Sequence, residues 1–164
     1  MSKTRTDFFG ILQVLAAHRV AFIIVGGTSA ALQGAPINTL DLDIVHERSG
    51  ENISRLLEAL GELDACYRLQ PERRLRPDAS HLSSPGHQLL TTRLGALDVL
   101  GAIEPGGSYA DLLDHSEEMR VGSLAVRVLD LKTLIDIKET LSRDKDRAVL
   151  AILKRTLKEK QSGG

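Results

Sequence analysis

Asp41 and Asp43 sit in the run Asn38-Thr39-Leu40-Asp41-Leu42-Asp43-Ile44-Val45, where carboxylates alternate with apolar residues. On an extended strand every second side chain shares a face, so this spacing forces two like charges side by side, with Leu40, Leu42 and Ile44 turned the other way. Adjacent carboxylates repel, and one stays protonated unless a cation lies between them. A hard divalent ion such as Mg²⁺, or Mn²⁺ in its place, takes oxygen ligands and keeps positions open for substrate phosphates. The plain alternative for an Asp-x-Asp pair is two solvated groups at a strand end.

What precedes the pair favours the metal. Phe22-Ile23-Ile24-Val25 reads as a buried strand running into Gly26-Gly27-Thr28-Ser29, and then a short helix over Ser29 to Gln33 that stops at Gly34 and Pro36. Gly26 and Gly27 let backbone approach a ligand closely, while Thr28 and Ser29 are expected to cap the helix whose free N–H groups suit phosphate. The turn is neither a P-loop, since no Gly-Lys-Ser/Thr follows, nor a dinucleotide fingerprint. Further along, Leu97-Asp98-Val99-Leu100 places one carboxylate on an apolar strand face, where it needs a compensating partner. Lys138 falls on the inward stripe of a helix set by Leu131, Leu134, Ile135 and Leu141, from which it either reaches outward or meets anions in a cleft.

An apolar strand ending in Gly-Gly-Thr, a short helix and Asp-x-Asp on the next strand resembles the nucleotidyltransferase fold of DNA polymerase β-like enzymes. Within it the chain is most similar to small bacterial nucleotidyltransferases that include toxins of the abortive-infection type, over residues 8–157. The resemblance implies an α/β (α+β) fold, with a mixed central sheet flanked by helices and a C-terminal helical pair. It implies Asp98 as a third metal-binding carboxylate and proton acceptor. Lys138, with Lys145 and Asp146 in Arg143-Asp144-Lys145-Asp146, matches a lysine and an Arg-x-Lys-Asp stretch of the toxin-like group. It also implies a nucleoside triphosphate substrate, an acceptor hydroxyl on RNA, tRNA, protein or a small molecule, and a cognate antitoxin as a partner. Asn38 departs from the pattern, since many relatives carry a basic residue there.

These residues need elements to hold them. Thr6 or Asp7 caps a helix with Phe8, Ile11, Leu12, Leu15 and Ala16 on one face, continuing to about His18. A helix over Glu51 to Leu60 carries a stripe of Ile53, Leu56, Leu57 and Leu60, followed by a strand over Cys66 to Leu69. Residues 71–84 read as irregular; Arg73, Arg74 and Arg76 there are a solvated loop, or, as a second reading, contacts to a polyanion such as RNA. Gln88 to Arg93 and Ala96 to Ala102 form a hairpin, Tyr109 to Leu113 a helical piece, and Ser116 to Arg120 with Leu124 to Val128 a small hairpin of structural role. Asp130 caps the helix of Lys138, and a last helix runs from Asp144 to about Lys158.

The 164 residues suit one domain over 1–160, with 161–164 as a flexible tail. A formal charge of -1 excludes a protein that grips nucleic acid over its whole surface. The single cysteine, Cys66, forms no internal disulfide, and with no apolar run of signal-peptide or spanning length a cytoplasmic protein is expected. The five histidines lack zinc-like spacing and read as surface or turn residues. A non-catalytic nucleotide-binding or partner-binding domain of the same fold is the alternative to an enzyme, and an antitoxin-like partner is the third.

Overall fold

The computed structural model describes residues 6–103, 107–141 and 146–163, apart from the side chains of residues 141 and 146. Helix α1, Phe8–Ala17, starts where the Asp7 carboxylate accepts from Gly10 N, and it buries Ile11, Leu12 and Leu15. Strand β1, Phe22–Val25, is buried along its length, and α2, Gly26–Leu32, follows without a linker. Strand β2, Asp41–His46, leads to α3, Gly50–Glu62, capped by the Ser49 hydroxyl, and then to the two-residue strand β3, Cys66–Tyr67. After a short 3₁₀ turn at Pro71–Arg73 come α4, Ala79–Ser83, and the hairpin β4, His87–Thr92, with β5, Gly95–Leu100. Short strands β6, Ala102–Ile103, and β7, Gly107–Ser108, pair with each other before α5, Tyr109–Leu113. Strands β8, Ser116–Val121, and β9, Leu124–Leu129, precede α6, Leu131–Leu141, and α7, Asp146–Gly163.

Seven strands make one mixed sheet in the order β3-β4-β5-β2-β1-β9-β8. Strand β2 pairs antiparallel with β1 and parallel with β5, and β1 pairs parallel with β9. One face carries Ile24, Leu42, Ile44, Leu97 and Val99 into a core with α1 and α3. The other carries Ile23, Val25, Val45 and Leu100 against α2, α5 and the C-terminal pair α6 and α7. Alternation decides this: odd positions of β2 and even positions of β5 look toward the second face, which puts Asp41, Asp43 and Asp98 there.

Several expectations change. The β8–β9 pair is no separate hairpin: β9 joins β1 and extends the central sheet, because Val126 and Val128 are apolar toward the first core. Residues 71–84 hold a 3₁₀ turn and α4, whose capping box is closed by Asp78 and His81. Helix α7 continues through residues 161–163. Lys160 Nζ there donates to Gln33 Oε1 at 2.9 Å and Glu117 Oε1 at 2.6 Å, and Gln33 Nε2 donates onward to the Ser29 and Leu129 carbonyls. His46 is buried at the end of β2, and burial holds its pKa below the ordinary histidine value.

Asn52, 1% exposed, joins three elements. Its Oδ1 accepts from Ala21 N at 2.7 Å, and its Nδ2 donates to the Ala21 and Glu47 carbonyls at 3.0 and 2.7 Å, linking α3 to the start of β1 and the end of β2. Truncation leaves Ala21 N without its acceptor and takes one bond each from the Ala21 and Glu47 carbonyls, which keep Glu47 N and His46 Nδ1. Asn52→Ala is therefore expected to lower unfolding free energy by about 3 kcal/mol, read from urea denaturation, with Leu56→Ala as the cavity comparison.

Candidate active site

The β2–β5 register sets Asp43 directly opposite Asp98, with Asp41 two residues earlier on the same strand and face. The Asp98 side chain is more deeply buried than that of Asp41, 13% exposed against 44%. Asp43 Oδ1 and Asp98 Oδ1 are both buried, and neither oxygen takes part in a hydrogen bond. Burial, then the neighbouring Asp98 and Asp41 carboxylates, push the Asp43 pKa up to about 8, and Arg68 offsets part of this. Two buried carboxylate oxygens without a hydrogen bond, on adjacent strands, are a donor set suited to a hard divalent cation. Among the described residues, however, no three His, Cys, Asp or Glu side chains are already gathered as a ligand cluster.

Gly26 forms the near wall. Its φ of +66° lies in the left-handed region, and a Cβ there would be strained and would push Asp43 Oδ2 aside. A Cβ on Gly27 would come within 2.8 Å of Thr39 Cγ2. Helix α2 begins at Gly26 itself, three residues earlier than expected, with Val25 as a cap that offers no side-chain bond. Thr28 and Ser29 therefore do not cap it. Thr28 Oγ1 donates to the Asp41 carbonyl at 3.0 Å, and Ser29 Oγ donates to the Gly26 carbonyl at 2.9 Å, both side chains being buried. Thr28 ties the turn to β2, Ser29 closes back on Gly26, and the first α2 amides have no side-chain acceptor.

A cavity of about 420 Å³ opens beside this wall, lined by Gly27, Asn38, Thr39, Asp41, Asp43 and Lys138 among others. Lys138 reaches it from α6, half-buried, as Leu134 and Ile135 anchor its helix beneath. The structure thus brings Asp41, Asp43, Gly27 and Lys138 to one opening, with Asp98 on the adjoining strand. Asn38 lines the same opening where a basic residue was looked for. Lys145 lies outside the described residues, and Asp146 enters only as the first residue of α7.

Arg68 was missed. The expected strand over Cys66 to Leu69 ends at Tyr67, which frees Arg68 to turn toward the carboxylates, where its Nη2 lies 3.0 Å from Asp98 Oδ1 and 4.0 Å from Asp41 Oδ2. The 3.0 Å contact is an ion pair by distance without hydrogen-bond alignment. No sequence spacing ties residue 68 to residue 98; only its place before an arginine-rich loop hinted at charge. The arginines first considered for a polyanion are engaged locally: Arg74 and Arg76 pair with Asp64, and Arg73 Nη1 donates to Gln70 Oε1 at 3.1 Å.

The chain superposes on a lincosamide antibiotic adenylyltransferase, LnuA, in its lincomycin-bound form, with a TM-score of 0.63 and 15% identity, covering 93% of this chain and 98% of that one. The fold is that of nucleotidyltransferases. TM1012 from Thermotoga maritima, whose nucleotidyltransferase activity is inferred, gives a TM-score of 0.58 at 18% identity over 93% of this chain and 94% of its own. No protein-family model and no curated protein matches the chain. The nucleotidyltransferase fold accounts for the mixed sheet, the flanking helices and the C-terminal pair together. Among the described residues no helix is long and apolar enough to cross a membrane.

Two outcomes test this geometry. Because the folded Asp43 pKa lies above its unfolded value, the native state binds more protons between about pH 4 and pH 8, and stability falls as pH rises through that window. In metal-free buffer at pH 8, Asp43→Asn is expected to be more stable than the native protein by on the order of 2 kcal/mol, a gap that narrows toward pH 5. Thermal unfolding at both pH values measures it. Gly26→Ala is expected to cost about 2 kcal/mol through left-handed strain and overlap with Asp43, in the same assay.

Proposed function

We propose that this protein is a metal-dependent nucleotidyltransferase that moves a nucleotidyl group from a nucleoside triphosphate to an acceptor hydroxyl. The observation that carries the reading is the pairing of Asp43 with Asp98 across β2 and β5, on the face where the glycine turn and Lys138 flank an open cavity. Asp41, Asp43 and Asp98 are the residues that would hold Mg²⁺ or Mn²⁺, which when bound supplies neutralisation of the entering and leaving oxygens.

Each residue then has a task. The acceptor hydroxyl attacks the α-phosphorus; a new P–O bond forms, the α,β-bridging bond breaks, pyrophosphate leaves, and the hydroxyl proton passes to the Asp98 carboxylate. Lys138 faces the charge that grows on the leaving phosphates. Backbone at Gly26 and Gly27, fixed by Thr28 and Ser29, gives the phosphates a close seat at the start of α2. Lys145 and Asp146 are proposed as substrate contacts on the resemblance alone.

For the acceptor, RNA including tRNA, protein and small molecules are all within the reading, and a toxin role with a cognate antitoxin is one form of it. The likeness to an adenylyltransferase bound to lincomycin supports including small hydroxylated molecules. A second reading, a non-catalytic nucleotide-binding or partner-binding domain, is favoured by Asn38 in the cavity wall and by the Arg68 charge already set against Asp98.

Incubation with each α-labelled triphosphate, Mg²⁺, and total RNA, total protein or small-molecule acceptors separates the two. The expected result is label on one acceptor class, reduced at least 10³-fold in Asp41→Ala/Asp43→Ala, in line with loss of transition-state charge stabilisation. Equal labelling by that variant ends the enzymatic reading. Metal-dependent triphosphate binding in calorimetry, with no acceptor labelled, supports the second.

A further inference from the structure

Arg68 directly follows β3, and its amide donates to the Leu89 carbonyl at 2.9 Å, which fixes the base of the side chain beside β4. Nη1 donates to the Leu90 carbonyl at 3.3 Å, and Nη2 extends to Asp98 and Asp41. The guanidinium comes from the β3 and β4 side of the carboxylates, whereas Lys138 comes from α6.

A guanidinium keeps its charge at any ordinary pH, so it leaves a carboxylate only by moving. Whatever binds the same oxygens must displace it. The 3.0 Å contact supplies charge to Asp98 Oδ1 without an aligned hydrogen bond, and the side chain is 33% exposed, so water screens the attraction. A compact divalent ion at the same carboxylates has twice the charge and open coordination positions. The contact is close enough to compete with such an ion and loose enough to yield to it.

The geometry points to Arg68 as a positioning residue that holds Asp98 in place and competes with divalent metal for the Asp98 and Asp41 carboxylates. This rests on reading those carboxylates as a metal site. Metal affinity before substrate arrives is set low by a cation built into the chain, and loading the site swings Arg68 away toward solvent on the β4 side. The role is distinct from that of Lys138, which reaches the cavity from α6 rather than from the β3 and β4 side.

Mn²⁺ alone, without nucleotide, is the probe. Electron paramagnetic resonance of free Mn²⁺ is expected to show Arg68→Gln binding the ion about tenfold more tightly than the native protein, with Arg68→Lys, which keeps the charge, between the two. Equal or weaker Mn²⁺ binding by Arg68→Gln overturns the inference. If that variant does not fold, the Arg68 Nε–Hε resonance of the native protein, assigned by its loss in Arg68→Lys, is followed through a Mg²⁺ titration. A shift that saturates with metal supports displacement, and a resonance that does not move overturns it. A protein that labels no acceptor but shows the Mn²⁺ difference refutes the proposed reaction and leaves this inference standing. Transfer activity with unchanged Mn²⁺ affinity in Arg68→Gln does the reverse.

Discussion

The parallel pairing of β2 with β5 forces Asp43 against Asp98, and much of the site follows from that repulsion. Nothing in the register relieves it, because a one-residue slip would carry Leu42 and Leu97 out of the core and the carboxylates into it. The apolar halves of the two strands therefore lock the charged halves in place. The molecule accepts a locally unfavourable contact because burying Leu42, Ile44, Leu97 and Val99 outweighs it.

Three features around the pair answer to this charge. A raised Asp43 pKa stores a proton between the strands, Arg68 brings a fixed cation from one side, and the glycine turn keeps Asp43 free of a neighbouring side chain. None of them fully satisfies the two buried oxygens. Sites that leave polar groups unpaired in a well-packed core are where function competes with stability.

Much of this was legible in the residues. The Asp41–Asp43 alternation, the apolar run before Gly26, and the stripes of α1, α3 and α6 each carry a period that a single element must satisfy, so their placement could be read locally. Asp98 could be singled out because a charge on an apolar strand face demands a partner. What stayed hidden depends on contacts between distant segments. The start of α2 at Gly26 follows from packing against Asp43 and Thr39, not from Thr28 or Ser29, whose hydroxyls look like caps in sequence but bond elsewhere. Arg68 could not be found because β3 ends after two residues, and strand ends are set by the partner strand rather than by propensity. The burial of His46 and the joining of β9 to β1 are likewise decided by neighbours far along the chain.

The chain of bonds from Lys160 through Gln33 to the Ser29 and Leu129 carbonyls runs behind the glycine turn. It ties α2 at once to the final helix, to the end of β9 and, through Glu117, to the sheet's outer strand. A segment braced from three directions takes its shape from the fold itself. Under the proposed function, the entropy of shaping a phosphate seat there is spent during folding rather than at each encounter.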